Sequence, residues 1–229
     1  MPQSPINLYG DQLIATSTGH GADISSQRAD DLDLMAVEQV RTIGLARGSI
    51  SVMDVGCGHG GQAARMAAAG AYVVAVDAVN YGAEVAASMA REMVQPGQFS
   101  FRRLPVENEP TLGSFDIVMC QRMIHYLKHD AACAVLGWFY RSANSGGYLF
   151  LSASGMDSEL SEGYTGKTLP LSERFTPLAP AMAEKHAIRP PVCLYSMNEL
   201  VAMANATGWI VEKAFLSPFG NVKLVARKP

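Results

Sequence analysis

The residues best equipped for chemistry stand together between positions 52 and 61, in the run Val52-Met53-Asp54-Val55-Gly56-Cys57-Gly58-His59-Gly60-Gly61. Glycines at 56, 58 and 61 permit a tight turn and let a ligand approach the backbone closely, as in the nucleotide-binding turn between a strand and a helix. A second acid, Asp77, follows Gly56 by about 20 residues, the spacing at which a carboxylate on the next strand accepts hydrogen bonds from ribose hydroxyls. Asp54 separates the possible ligand classes. Beside a diphosphate it would place like charges about 5 Å apart, a repulsion of about 3 kcal/mol at an effective dielectric of about 20; a cationic ligand reverses the sign.

A turn of this kind needs a strand before it and a helix after it. Short apolar runs alternate with helical patterns from about position 30 onward, the signature of successive strand-helix-strand units. Strands are expected at 50–55, 71–77, 99–104, 115–120 and 148–153, and helices at 60–69, 81–94 and 130–143. A capping box, Ser196-x-x-Glu199, opens a further helix that ends at Gly208. Two last strands, 209–216 and 221–226, are joined by Pro218-Phe219-Gly220, short enough for an antiparallel hairpin. The predicted fold class is α/β: a doubly wound, mostly parallel seven-stranded sheet with a C-terminal antiparallel hairpin strand and helices on both faces.

Two regions break the alternation. Residues 1–30 are polar and turn-rich, and 154–192 carry Pro170, Pro177, Pro180, Pro190 and Pro191 without a sustained helical stripe. Long irregular stretches within a compact domain are commonly lids or binding loops. One domain over 1–229 is therefore expected, with 1–30 as a cap, 31–153 as the ligand-binding core, 154–192 as a lid or substrate insertion and 193–229 as a terminal helix and hairpin.

The segment from Asp54 to Gly61 resembles the first motif of the class I S-adenosylmethionine-dependent methyltransferases, an acid, any residue, then Gly-x-Gly-x-Gly. The stretch Ser114-Phe115-Asp116-Ile117-Val118-Met119-Cys120 is similar to that family's fourth-strand motif, and Ser145-Gly146-Gly147 to its entry to the fifth strand. The resemblance implies S-adenosylmethionine as cofactor and S-adenosylhomocysteine as product, with contacts at Asp54, Gly56, Cys57, Gly58, Asp77, Ala78, Cys120 and Gln121. Many relatives have an acid after the third strand near the adenine. Here that region reads Arg103-Leu104-Pro105-Val106-Glu107-Asn108, so the contact falls to Glu107 or to the backbone of Val106. Methyl transfer from a sulfonium demands alignment and exclusion of water before it demands a base.

Candidate acceptor contacts are Arg122 and Tyr126 after the fourth strand and Tyr9, Tyr164 and Arg189 in the irregular regions, the last three against the alternative of surface or packing residues. His125 is the candidate general base, against the alternative of a packed, hydrogen-bonded histidine. His20 and His186 lie in the irregular regions and are further pocket candidates. His125 and His129 are four apart, but the glutamate of the zinc-protease pattern is missing and no metal is expected. Asp116 is read as an organiser of its own strand.

Charge narrows the partners. With 18 basic and 21 acidic residues the net charge is −3, and no basic run exceeds Arg102-Arg103. A polyanion-binding protein usually carries a basic stripe, so nucleic acid is not the expected partner. The Asn/Asp-Pro-Pro-aromatic motif of amino-group DNA methyltransferases and the Pro-Cys pair of cytosine-ring enzymes are both lacking. A small-molecule acceptor is expected, with no membrane span and a cytoplasmic location. Cys57, Cys120, Cys133 and Cys193 show no paired spacing and are read as free thiols. Rival readings are a non-catalytic module binding the same cofactor and, opposed by Asp54, a nicotinamide-dependent oxidoreductase.

Overall fold

The structure is a computed structural model that describes Ile6, Thr16 and residues 18–229. Seven strands, β1 (Ser51–Val55), β2 (Tyr72–Asp77), β3 (Phe99–Arg103), β4 (Phe115–Gln121), β5 (Ala143–Ala153), β6 (Ile210–Leu216) and β7 (Val222–Arg227), form one sheet. Their order is β3-β2-β1-β4-β5-β7-β6. Only β7 runs against its neighbours, pairing antiparallel with both β5 and β6. The chain builds outward from β1 to β3, then returns to lay β4 on the other side of β1. This reversal opens a crevice at the carboxyl ends of β1 and β4, where open α/β sheets bind ligands.

Helices cover both faces. On one, α1 (Asp31–Arg47), α2 (Gly61–Ala68) and α3 (Gly82–Arg91) pack Leu32, Val40, Met66 and Met89 against Val52, Ile117 and Phe150. On the other, α4 (His129–Ser142) and α6 (Met197–Ala206) set Phe139 and Leu200 against Val118, Leu149 and Leu224. Each such fully buried side chain contributes about 1.5–3 kcal/mol. The capping box at Ser196 and Glu199 forms as expected. A second box, in which Asp30 caps the amides of Leu32 and Asp33 while the Asp33 carboxylate accepts from the Asp30 amide, starts α1.

Two expectations need correction. The fifth strand begins at Ala143 instead of 148, following α4 directly. Gly147 lies so close to the carbonyls of Asn144 and Asp116 that a Cβ would crowd them, so the glycine pair carries the strand past a bulge in its pairing with β4. The insertion after β5 is also more ordered than its prolines suggested. It holds three 3-10 turns and α5 (Pro180–His186), and Leu160, Tyr164, Leu178, Met182, Ile188 and Val192 form a small core of their own. Proline at the first turn of α5 costs no hydrogen bond, because that amide has no partner within the helix.

Candidate active site

A crevice of about 1060 Å³ opens at the reversal between β1 and β4. Single-ligand pockets span roughly 300–1,000 Å³, so this one has room for a nucleoside and a second small molecule. Its floor is the turn joining β1 to α2. Gly56 has φ 69° and Gly58 φ 52°, and a Cβ on Gly56 would stand 2.6 Å from the Met123 side chain. Only a residue lacking a side chain fits there without strain.

Asp77 ends β2 beside this turn. Its carboxylate accepts from the amides of Gly58 (3.0 Å) and Val79 (2.9 Å), which hold it facing the crevice. Burial raises its pKa and outweighs those two hydrogen bonds. Asp54 is 3% exposed, and one of its carboxylate oxygens has no hydrogen-bond partner among the described residues. Burial first, then the nearby Asp33, Asp77 and Asp23 carboxylates, push it up to about 8. Burial among these acids therefore favours the neutral form of Asp54. This revises the simple picture of a fixed charge, since the group ionises when a cation comes within reach.

The remaining walls come from β4 and two covering segments. Gln121 donates through Nε2 to Asp33 and, at 3.4 Å, to Asp30, while its Oε1 accepts from Ser152 Oγ. Lys223 of β7 pairs with Asp30 at 2.8 Å and with Asp31, tying the start of α1 to the sheet. Asp33 is raised to about 6 by burial and by the neighbouring Asp30. Overhead, His20 and Ile188 form an antiparallel bridge, and the Arg189 amide donates to Gly19 O at 2.8 Å. Tyr126 Oη donates to His20 O at 2.9 Å. Asp23 accepts from the Ser25 and Ser26 hydroxyls and from the His59 amide, and Arg65 grips Ser25 O. Residues 18–28 thus lie across the glycine turn and meet the insertion above it.

Of the expected contacts, Asp54, Gly56, Cys57, Gly58, Asp77, Ala78, Val106, Glu107, Gln121, Arg122, His125 and Tyr126 all line the crevice, as do His20 and His186. Cys120 does not; it is wholly buried between the sheet and its helices. Tyr164 is not at the crevice either. Its hydroxyl donates to the carbonyls of Arg174 and Val192 inside the insertion core. Arg189 is exposed and lies over Gly19, outside the crevice lining. Tyr9 falls outside the described residues. His125 is 1% exposed, with its ring against the amide and hydroxyl of Ser154, and burial lowers its pKa to about 3. Such an imidazole stays neutral and is a weak proton acceptor, which favours the packed-histidine alternative. His129 lies beside Cys133, and no cluster able to hold a metal exists among the described residues. Asp116 accepts from Ser51 and Asn144 and fastens β1 and β5 to β4, a structural role carried by long-range bonds where the sequence suggested local ones.

Sequence reasoning missed Asp23, Asp30 and Asp33. The pair Asp30-x-x-Asp33 before an apolar run carried a legible helix-start signal. Asp23 carried none, because its partners are brought to it by the fold.

The sheet order and the reversed last strand are those of the class I S-adenosylmethionine-dependent methyltransferase fold. Residues 52–147 match the family model described as a methyltransferase domain. Among curated proteins, the ubiquinone biosynthesis O-methyltransferase of Bordetella bronchiseptica is 34% identical over 114 residues, covering 46% of this chain and 44% of that protein. That of Paracidovorax citrulli is 36% identical over 113 residues, covering 44% and 47%. The match thus spans less than half the length of these relatives. Among solved structures, magnesium protoporphyrin IX methyltransferase from Synechocystis with bound S-adenosylhomocysteine superposes with a TM-score of 0.60 at 17% identity, over 86% of this chain and 84% of that one. The 1,6-didemethyltoxoflavin-N1-methyltransferase of Burkholderia thailandensis gives 0.59 at 20% identity, over 84% and 78%. No described helix is long and apolar enough to cross a membrane.

Proposed function

We propose that this chain transfers a methyl group from S-adenosylmethionine to a small-molecule acceptor held beneath the two covering segments. The carrying observation is the unpartnered oxygen of buried Asp54 beside a glycine turn that a side chain would block. These residues fit the cofactor: Asp77 for the ribose hydroxyls, Asp54 for the ammonium, Gln121 for the methionine portion, and Val106 with Glu107 for the adenine end. When bound, the cofactor supplies an activated methyl group on a good leaving group. The chain's own task is to orient the acceptor and exclude water.

The name of the curated relatives suggests an oxygen acceptor. The family model matches residues 52–147, whereas the insertion that would meet the acceptor lies beyond them. The acceptor atom is therefore left open. Calorimetric titration with S-adenosylmethionine, S-adenosylhomocysteine and NADH tests the cofactor, and a labelled-methyl screen over small phenols, amines and carboxylates tests the transfer. Binding of the sulfur nucleosides with turnover is expected. Binding without turnover on any acceptor favours the non-catalytic module, and exclusive binding of NADH overturns the reading. Residues 16–28 and 154–192 are expected to slow their hydrogen exchange when cofactor and acceptor are both present.

A further inference from the structure

We propose that Arg122 is the carboxylate receptor of the crevice, an inference that rests on the cofactor reading above. Arg122 follows β4 in the left-handed region at φ 50°, a conformation an arginine seldom adopts without compensation. Its amide is pinned there by Ser152, donating to the carbonyl at 3.0 Å and to the hydroxyl at 3.1 Å. The backbone thus turns the side chain into the crevice lining. There its Nε is shielded from solvent and has no hydrogen-bond partner among the described residues. Buried donors are nearly always paired, so an unspent one on a side chain that lines a cavity points to a ligand that would reorient it.

The nearby acids do not use it. Asp30 is engaged by Lys223 and by the amides at the start of α1, and Asp33 by Gln121 and the Asp30 amide. Arg122 is close enough for its charge to act on both, but forms an ion pair with neither. Tyr126 and the neutral His125 ring also stand within reach of its field. Leu160 and Ile188 add apolar wall. A guanidinium with free donors is suited to a planar carboxylate, which it can grip through two parallel hydrogen bonds. That carboxylate belongs either to the acceptor or to the amino-acid end of the cofactor.

The test compares wild type with Arg122→Asn, chosen because asparagine tolerates the left-handed backbone, and with Arg122→Lys, which keeps the charge. Cooperative melting of each variant checks its fold. The probes are 4-hydroxybenzoate against 4-hydroxybenzamide, with and without S-adenosylhomocysteine, and S-adenosylhomocysteine against 5′-methylthioadenosine, which lacks the amino-acid end. An acceptor-side receptor predicts that wild type binds the acid about tenfold or more tightly than the amide, and that Arg122→Asn erases the preference while Arg122→Lys keeps part of it. A cofactor-side receptor predicts a similar loss for S-adenosylhomocysteine with 5′-methylthioadenosine unchanged. If Arg122→Asn leaves both ratios within about twofold of wild type, the assignment is overturned and the arginine serves only to balance nearby acids. Should neither nucleoside bind wild type, the cofactor reading fails, and the acid-amide comparison still judges Arg122 by itself.

Discussion

The floor and the roof of the crevice are built by different means. The floor is local: β1, its glycine turn and α2 are continuous in sequence, and Asp77 arrives one strand later. The roof is assembled from afar. Its contacts join His20 to Ile188, Gly19 to Arg189 and His20 to Tyr126, across most of the chain's length. A floor fixed by parallel-sheet register is set mainly by the sheet, with residues 23–26 touching it through Asp23 and Arg65. A roof joined by a few hydrogen bonds can open, since each contributes a net of only about 0.5–1.5 kcal/mol. The comparison teaches that cofactor binding and acceptor access are separable properties of this protein.

The sharpest way to break that comparison is at Gly56. Valine there meets both a left-handed backbone and the Met123 side chain. Backbone strain alone costs about 1–3 kcal/mol. Gly56→Val is expected to abolish measurable S-adenosylhomocysteine binding by calorimetry and to lower the melting temperature, while hydrogen exchange in the insertion core stays protected. Simultaneous loss of the insertion's protection would show that floor and roof are one unit.

Next in size is Asp77→Ala. Removing a charged acceptor from the ribose hydroxyls costs about 1.5–3 kcal/mol, or about 10–150-fold in affinity. Unchanged affinity would place the ribose elsewhere and detach the floor from its assigned role.

Protons sharpen the floor's chemistry further. Burial lifts the Asp54 carboxyl from 3.8 to about 8, so the folded protein keeps a proton there that the unfolded chain releases above about pH 4. Binding of a ligand ammonium favours the ionised form and expels that proton. Below about pH 8 affinity should therefore rise with pH, by at most about tenfold per unit for this one group. Calorimetry in buffers of different ionisation enthalpy should show proton release at pH 7. Asp54→Asn should bind more weakly and lose most of the pH slope, leaving the smaller contribution of Asp33 at about 6.

The same contrast explains what the sequence disclosed. The places of Gly56, Gly58 and Asp77 were legible because they follow from strand ends and a short turn, where spacing along the chain is spacing in the crevice. The sheet was legible for a related reason: apolar runs such as Tyr72–Asp77 leave one buried solution. Tyr164 suits a pocket as well as a core by residue type, and its hydrogen bonds to the carbonyls of Arg174 and Val192 favour the packing alternative. The position of Cys120 beside the β4 terminus did not reveal that its side chain turns into the core. Asp23 and the orphaned oxygen of Asp54 depend on contacts across the fold that no local pattern encodes.

The smallest expected effect tests whether the roof has a stability of its own. Tyr164→Phe removes a buried hydroxyl that donates to two carbonyls and leaves the Arg174 carbonyl short of a partner, while Val192 O keeps the Thr176 amide. The cost is about 1–3 kcal/mol, the desolvation penalty of a buried group left unpaired. Because Tyr164 belongs to the insertion core and not to the crevice lining, the loss should appear as faster hydrogen exchange around Thr176 and Val192, with S-adenosylhomocysteine affinity within about twofold of wild type. Weakening of cofactor binding in step with the lost stability would mean that the insertion core braces the floor, and the separation between the two regions would fail at the position where the structure makes it most exposed to test.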